Sequence, residues 1–152
     1  MFKISSETEL LGSFRAHDRE SVDVPLEFKF PLVVKDYLTW LEPSGNRVYL
    51  VFKDRPLAQS LGVVFRRDQG TSSAATMCEW CHCVRDGGGV GLLMATASSK
   101  TSIGIHLCRD LSCKEKVRAT PGVHDYPPIL DEPAKIRKII SRMADFARRE
   151  LF

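Results

Sequence analysis

The chain lacks any apolar run long enough to cross a bilayer. Its longest nearly charge-free apolar stretch, Val90 to Ala97, falls far short of the ~18–20 residues a spanning helix needs. The opening residues, Met-Phe-Lys-Ile-Ser-Ser-Glu-Thr-Glu, turn acidic by position 7 and hold no apolar signal core. A cytoplasmic protein is therefore expected, neither secreted nor membrane-bound. Internal repeats and low-complexity tracts are absent too, which excludes solenoid and disordered classes. Net charge is small: 22 Lys and Arg against 19 Asp and Glu leave +3, too little to establish a polyanionic partner. No nucleophile motif surrounds His17, His124 or the serines, and no general acid–base pair assembles. Gly87-Gly-Gly-Val-Gly91 lacks the Lys-Ser/Thr ending of a phosphate loop and precedes a strand, not a helix. These absences predict a protein that is not an enzyme and has no small-molecule substrate.

What is present is an ordinary globular balance, with 43% hydrophobic and 27% charged residues over 152 positions. That length suits one domain, 1–152. Charge is uneven along it. Residues 1–30 hold four bases and six acids, so the remainder holds 22 − 4 = 18 bases and 19 − 6 = 13 acids, a net of +5. An anionic partner should meet the later part.

Ser6 followed by Glu9 has capping-box spacing, and Leu10, Leu11 and Phe14 share a helical face, which predicts a helix over 6–16. Alternation in Leu26, Phe28 and Phe30 suggests a half-buried extended piece stopped by Pro31. Tyr37, Leu38, Trp40 and Leu41 read as a turn of helix anchored to the core. Arg47–Lys53 and Leu61–Arg67, both rich in Val, Leu and Phe, predict an antiparallel hairpin after the Pro43-Ser-Gly-Asn46 turn. Asp68–Ala75 reads as a small-residue linker, and Asp125-Tyr126-Pro127-Pro128 as a stiff connection. The clearest helix spans about 132–151. Ile136, Ile139, Ile140, Met143, Phe146, Ala147 and Leu151 form its apolar stripe, with Asp131 and Glu132 at its start and Arg148 and Arg149 at its end.

The five cysteines are odd in number and clustered, unlike a secreted disulfide framework. Cys78-Glu-Trp-Cys81 is one short pair and Cys108-Arg-Asp-Leu-Ser-Cys113 another, with 26 residues between Cys81 and Cys108. Two such pairs a hairpin's length apart have the spacing of a four-cysteine zinc site. A tight knuckle brings the first two thiolates together, and the second pair must come from another element. Between them, strands Val90–Ala97 and Ile103–Leu107 flank a polar turn, and Asp110 can cap a helix containing Cys113. Knuckle, hairpin, then helix is the treble-clef order. Cys78-x4-Cys83 is also sterically possible, so Cys83 is either a substitute for Cys81 or a spare thiol. His82 and His106 lie near ligands in sequence, although four cysteines already suffice. Four thiolates leave zinc no open position, so one structural Zn2+ is expected, contributing ~10 kcal/mol or more to folding of the region about 76–119.

Thr76-Met-Cys-Glu-Trp-Cys81, Gly87-Gly-Gly-Val90 and Cys108-Arg-Asp-Leu-Ser-Cys113 with Val117-Arg118 together resemble the treble-clef domain of the elongation factor G-binding (FBP) proteins. That family includes the FusB-type fusidic-acid-resistance proteins. The resemblance is strongest over 76–118 and extends toward Trp40 and the last helix. It implies an α+β fold of antiparallel hairpins, a zinc finger held by Cys78, Cys81, Cys108 and Cys113, and a C-terminal amphipathic helix. It also implies a module that docks on elongation factor G, or a related translation factor on the ribosome. In resistance members that docking promotes release of the factor from drug-stalled ribosomes. Those members carry an amino-terminal helical bundle, whereas only the 6–16 helix precedes the sheet here. Lys100, Arg109, Lys114, Lys116 and Arg118 are the candidate partner contacts, facing an acidic patch. A nucleic-acid-binding zinc finger, reading rRNA or DNA through the basic later part, is the alternative.

Overall fold

A computed structural model describes residues 1–54, 59–67, 75–85, 89–98, 100–119 and 132–152. Near-continuous apolar runs, buried on both faces, dictate its centre. In order along the chain, the elements are β1 (Phe2–Ile4), α1 (Glu7–Gly12), β2 (Leu32–Val34), β3 (Tyr37–Leu41), β4 (Arg47–Phe52), β5 (Leu61–Arg67), β6 (Thr76–Met77), β7 (Val84–Arg85), β8 (Val90–Ser98), β9 (Thr101–Cys108), α2 (Cys113–Ala119) and α3 (Glu132–Glu150). Among the described residues, β3-β4-β5-β8-β9 form one antiparallel sheet, β1-β2 a second and β6-β7 a third. The four cysteine positions thus interrupt and terminate an otherwise simple meander.

β4 explains why the sheet is two-sided. Val48, Leu50 and Phe52 point to one face, while Tyr49 and Val51 point to the other, and all are fully buried. The first face receives α3, whose Ile139, Met143, Phe146 and Ala147 pack on it. The second receives Ile4, Leu10 and Phe14 from the amino-terminal segment. Burying each of these large side chains is worth about 1.5–3 kcal/mol. Phe14 lies so close to β5 that a Cβ on Gly62 would fall 2.7 Å from its ring, and the Gly62 N–H donates to the Ser13 carbonyl at 2.8 Å.

The predicted hairpin over 47–67 and the strands flanking the 98–102 turn are present, as is the amphipathic helix. Helix α1 is shorter than predicted, but Ser6 caps it by accepting from the Glu9 N–H at 3.1 Å. The reading of 37–41 as helix is incorrect. Its apolar spacing mimics a helical turn because both faces of β3 are covered: Tyr37 enters one core and Trp40 the other. The extended piece before Pro31 is not a strand either. Leu26 is wholly exposed, Phe28 and Phe30 pack at the edge of the second core, and the strand begins after the proline, at Leu32. The linker over 68–75 falls, but for Ala75, outside the described residues, as does the 125–128 connection. No helix among the described residues is long and apolar enough to cross a membrane.

Candidate metal centre

The first knuckle is the β6-β7 turn. Thr76 pairs with Arg85 and Met77 with Val84, which brings the chain back on itself around Cys78–Cys83. Inside the turn, the Cys78 N–H donates to the Cys83 carbonyl at 2.9 Å and the His82 N–H to the Cys78 carbonyl at 2.8 Å. The Cys81 N–H points at the Cys78 sulfur, 3.5 Å away, an arrangement that favours a thiolate there. The turn closes only because His82 adopts φ +62°, a left-handed conformation that glycine usually supplies. Leu111 does the same at φ +57° in the second knuckle, where its N–H donates to the Cys108 carbonyl at 2.9 Å. Asp110 then accepts from the Ser112 N–H at 3.1 Å, turning the chain into α2, whose first residue is Cys113.

The two knuckles meet because β9 carries Cys108 to the β6-β7 turn. The Glu79 N–H donates to the His106 carbonyl at 2.9 Å, and the His106 N–H donates back to the Glu79 carboxylate at 3.2 Å. The sulfurs of Cys78, Cys81, Cys108 and Cys113 consequently lie within 4.8 Å of one another, all buried. Cys78 and Cys113 are 3.8 Å apart, and Cys81 and Cys108 are 3.6 Å apart. A tetrahedron with zinc–sulfur bonds of ~2.3 Å has sulfur–sulfur edges of about 3.8 Å. The donor set, its spacing and its burial therefore fit one four-coordinate zinc. Cys83 is buried as well, but stands outside this cluster, as do His82 and His106.

Proton affinities follow the crowding of the four thiols. Hydrogen bonds from Cys108, Cys113 and Cys81 hold Cys78 far below an ordinary thiol, and bonds from Cys108 and Cys113 lower Cys81. Cys113 is pushed well up by its bonds to Cys108 and Cys78 and by burial. Cys108 is pulled down by Cys113 but pushed further up by Cys78, Cys81 and burial. Zinc, once bound, replaces those shared protons.

Three residues outside the predicted ligand set support the centre. Trp80 sits between the first two cysteines, 2% exposed, and packs edge-on against Phe65 of β5 and Phe146 of α3 at centroid distances of 5.9 and 6.1 Å. Arg142 of α3 donates to the Trp80 carbonyl at 2.5 Å. The Tyr37 hydroxyl, reaching in from β3, donates to the Leu111 carbonyl and accepts from the Lys114 N–H, both at 3.0 Å. An aromatic residue inside a tight cysteine turn is a legible sign of a docked knuckle. Tyr37, 74 residues from Leu111, gives no local sign.

The candidate partner cations are not all grouped at the metal. β8 and β9 pair from Val90↔Cys108 to Ser98↔Thr101, so Lys100 sits at the far end of the hairpin, about 25 Å from Cys108 at ~3.3 Å per residue. Lys114 is committed to the fold: its ammonium donates to Asp36 at 2.8 Å and to the Tyr37 carbonyl at 2.9 Å, 4.6 Å above the Tyr37 ring. Arg109 lies over Gly91 of β8, and Lys116 is half-buried on α2. Arg118 lies in α2, and its side chain falls outside the described residues.

Knuckle, β8-β9 hairpin and ligand-bearing helix define a treble-clef zinc domain with one closed, structural metal position. The chain belongs to the FBP C-terminal treble-clef zinc-finger family, whose model matches residues 10–149. Its fold is similar to that of a solved structure described as the fusidic acid resistance protein FusC. The TM-score is 0.57 at 15% identity, covering 99% of this chain and 60% of that one. The chain thus spans about 60% of the length of that relative. A comparison with curated proteins finds no match.

Proposed function

We propose that the protein is a cytoplasmic, non-enzymatic, zinc-stabilised module that docks on elongation factor G. The observation that carries the reading is a closed four-thiolate centre within a family match covering 10–149. A metal with four buried sulfurs has no position for substrate, so its contribution is rigidity. A pre-ordered hairpin and helix bind a partner without the entropy cost of ordering them. A role in releasing the factor from the ribosome, or in fusidic-acid resistance, would build on that docking.

Gel filtration of the zinc-loaded chain with purified elongation factor G, nuclease-treated and at near-physiological salt, tests this. Co-elution is the expected result. Separate elution would refute the docking. A complex that survives only without nuclease would favour the nucleic-acid reading, which the basic later part of the sequence supports.

A further inference from the structure

Away from the metal, the main sheet ends in an open edge. β9 is the last strand of β3-β4-β5-β8-β9, so one of its sides has no neighbouring strand. Near Cys108 that side is covered: the Glu79 N–H donates to the His106 carbonyl at 2.9 Å, and the His106 N–H donates to the Glu79 carboxylate at 3.2 Å. Those two bonds also fix which backbone groups point outward along the rest of the strand. Residue pairs in an antiparallel ladder alternate between exchanging both backbone bonds and exchanging none. His106, opposite Leu92, gives its groups to Glu79, so that pair exchanges none. Gly104 opposite Met94 and Ser102 opposite Thr96 share its parity. Their N–H and C=O groups therefore point away from β8, and they have no partner among the described residues. Both residues are exposed.

Natural edge strands are blunted by a charged side chain, a proline or a bulge. Thr101–Ile105 has no charge and no proline, and the bulge of this hairpin lies in β8, between Thr96 and Ser98. The flanks of the edge differ in character. At one end Arg66 reaches across β8, where its guanidinium donates to the Ser102 hydroxyl at 3.0 Å, and exposed Lys100 stands just before the strand. No carboxylate among the described residues pairs with either cation. Further along, the same face is apolar: a Cβ on Gly104 would lie 3.0 Å from the Leu92 side chain and 3.1 Å from the Met94 sulfur. Leu92 and Met94 are half-buried and belong to neither core.

We propose that the β9 edge over 101–105 takes up an extended, acidic segment of a partner protein as a further strand of the sheet. Three features select that occupant. Outward N–H and C=O groups at every second residue are matched by another extended polypeptide backbone, not by a helix or a nucleic acid. Two cations without a carboxylate at the Lys100 end call for acidic side chains opposite them. Gly104, by leaving Leu92 and Met94 uncovered, calls for an apolar side chain opposite it. A second copy of this chain fits less well. Glu79 blocks pairing beyond Ile105, so two β9 strands could pair only around Ser102, which would set Arg66 and Lys100 of one copy against those of the other. The proposal rests on the reading of the chain as a protein-docking module and assigns that docking to the sheet edge.

The test uses the full zinc-loaded chain and a fluorescein-labelled seven-residue peptide of valine and threonine with two glutamates near its carboxyl end, followed by anisotropy. Two further forms are N-methylated on alternate residues, so that the methyl groups point toward the edge in one and away from it in the other. The parent peptide should bind, one methylated form should bind like it, and the other should not. Ser102→Pro removes an outward N–H that β8 does not use and should weaken the parent peptide by about tenfold or more, with little change in melting temperature. Should that variant fold poorly, Arg66→Glu/Lys100→Glu should show a loss of similar size. No binding of the parent peptide, like behaviour of the two methylated forms, or equal binding by a folded variant would each overturn the proposal. A dimer of the chain alone that Ser102→Pro dissolves would overturn it too, since the edge would then belong to a second copy. Repeating gel filtration with elongation factor G separates the two readings. Co-elution of both wild type and Ser102→Pro removes the edge but leaves the docking. Peptide binding without co-elution removes the docking on that factor but leaves the edge.

Discussion

Tyr37→Phe removes one oxygen atom from the centre of the molecule and should cost far more than its size suggests. The hydroxyl ties β3 to the backbone on either side of the last zinc ligand: it donates to the Leu111 carbonyl and accepts from the Lys114 N–H, both at 3.0 Å. Phenylalanine keeps the ring, and so keeps the Lys114 contact 4.6 Å above it. It leaves the Leu111 carbonyl unsatisfied in a fully buried place, worth about 1–3 kcal/mol. The Lys114 N–H, in a half-buried first turn of α2, recovers water and loses only about 0.5–1 kcal/mol. The sum is about 1.5–4 kcal/mol, or a fall of roughly 3–16 °C in melting temperature for a chain this long. Because the loss falls between Cys108 and Cys113, the variant should also surrender zinc faster to a competing chelator. Thermal melts and chelator-competition kinetics on the zinc-loaded protein measure both. A melting temperature within about 2 °C of wild type, with unchanged metal release, would refute the assignment of Tyr37 as the brace of the second knuckle.

Cys108→Ser should abolish stoichiometric zinc and lower the melting temperature markedly, whereas Cys83→Ala should retain one zinc per chain by elemental analysis; zinc loss in the second variant would place Cys83 among the ligands. Acidification should erode the stability that zinc provides. Zinc binds the four sulfurs as thiolates, so protons compete with it for Cys78, Cys81, Cys108 and Cys113 and weaken its binding as pH falls. The gap between melting temperatures with and without zinc should therefore be larger at about pH 8 than at about pH 5, and a gap that widens in acid contradicts this. Gly62→Ala should cost about 1–3 kcal/mol in urea denaturation, since its Cβ would lie 2.7 Å from the Phe14 ring; a neutral result would show that Phe14 moves aside freely.

The parts of the fold that were legible in sequence are those in which one local rule suffices. The stripe from Ile136 to Leu151 faces a single surface, so a period of 3.6 emerges unaided. The cysteine pairs are legible for the same reason, since each knuckle is closed by contacts within six residues. Tyr37–Leu41 was misread because a strand covered on both faces shows no alternation. The brace from Tyr37 to Leu111 and the docking of Trp80 on Phe146 depend on chain crossings that no local pattern encodes.

The same distinction governs the cations. A basic residue near a metal ligand in sequence is as readily absorbed by the fold as presented to a partner. Lys114 shows the first outcome: Asp36 and the Tyr37 carbonyl satisfy it, so its charge organises α2. Lys35, immediately beside Asp36, stays exposed, since the carboxylate next to it is paired with Lys114. Charge available for binding is thus what remains after the fold has satisfied its own ion pairs. On that reasoning, Lys114→Glu should act through stability: it places a carboxylate against Asp36 and should lower the melting temperature while adding little specific loss of partner binding in the fraction that stays folded. A variant that melted normally but bound its partner weakly would return Lys114 to the contact surface and show that the Asp36 pair contributes little to the fold.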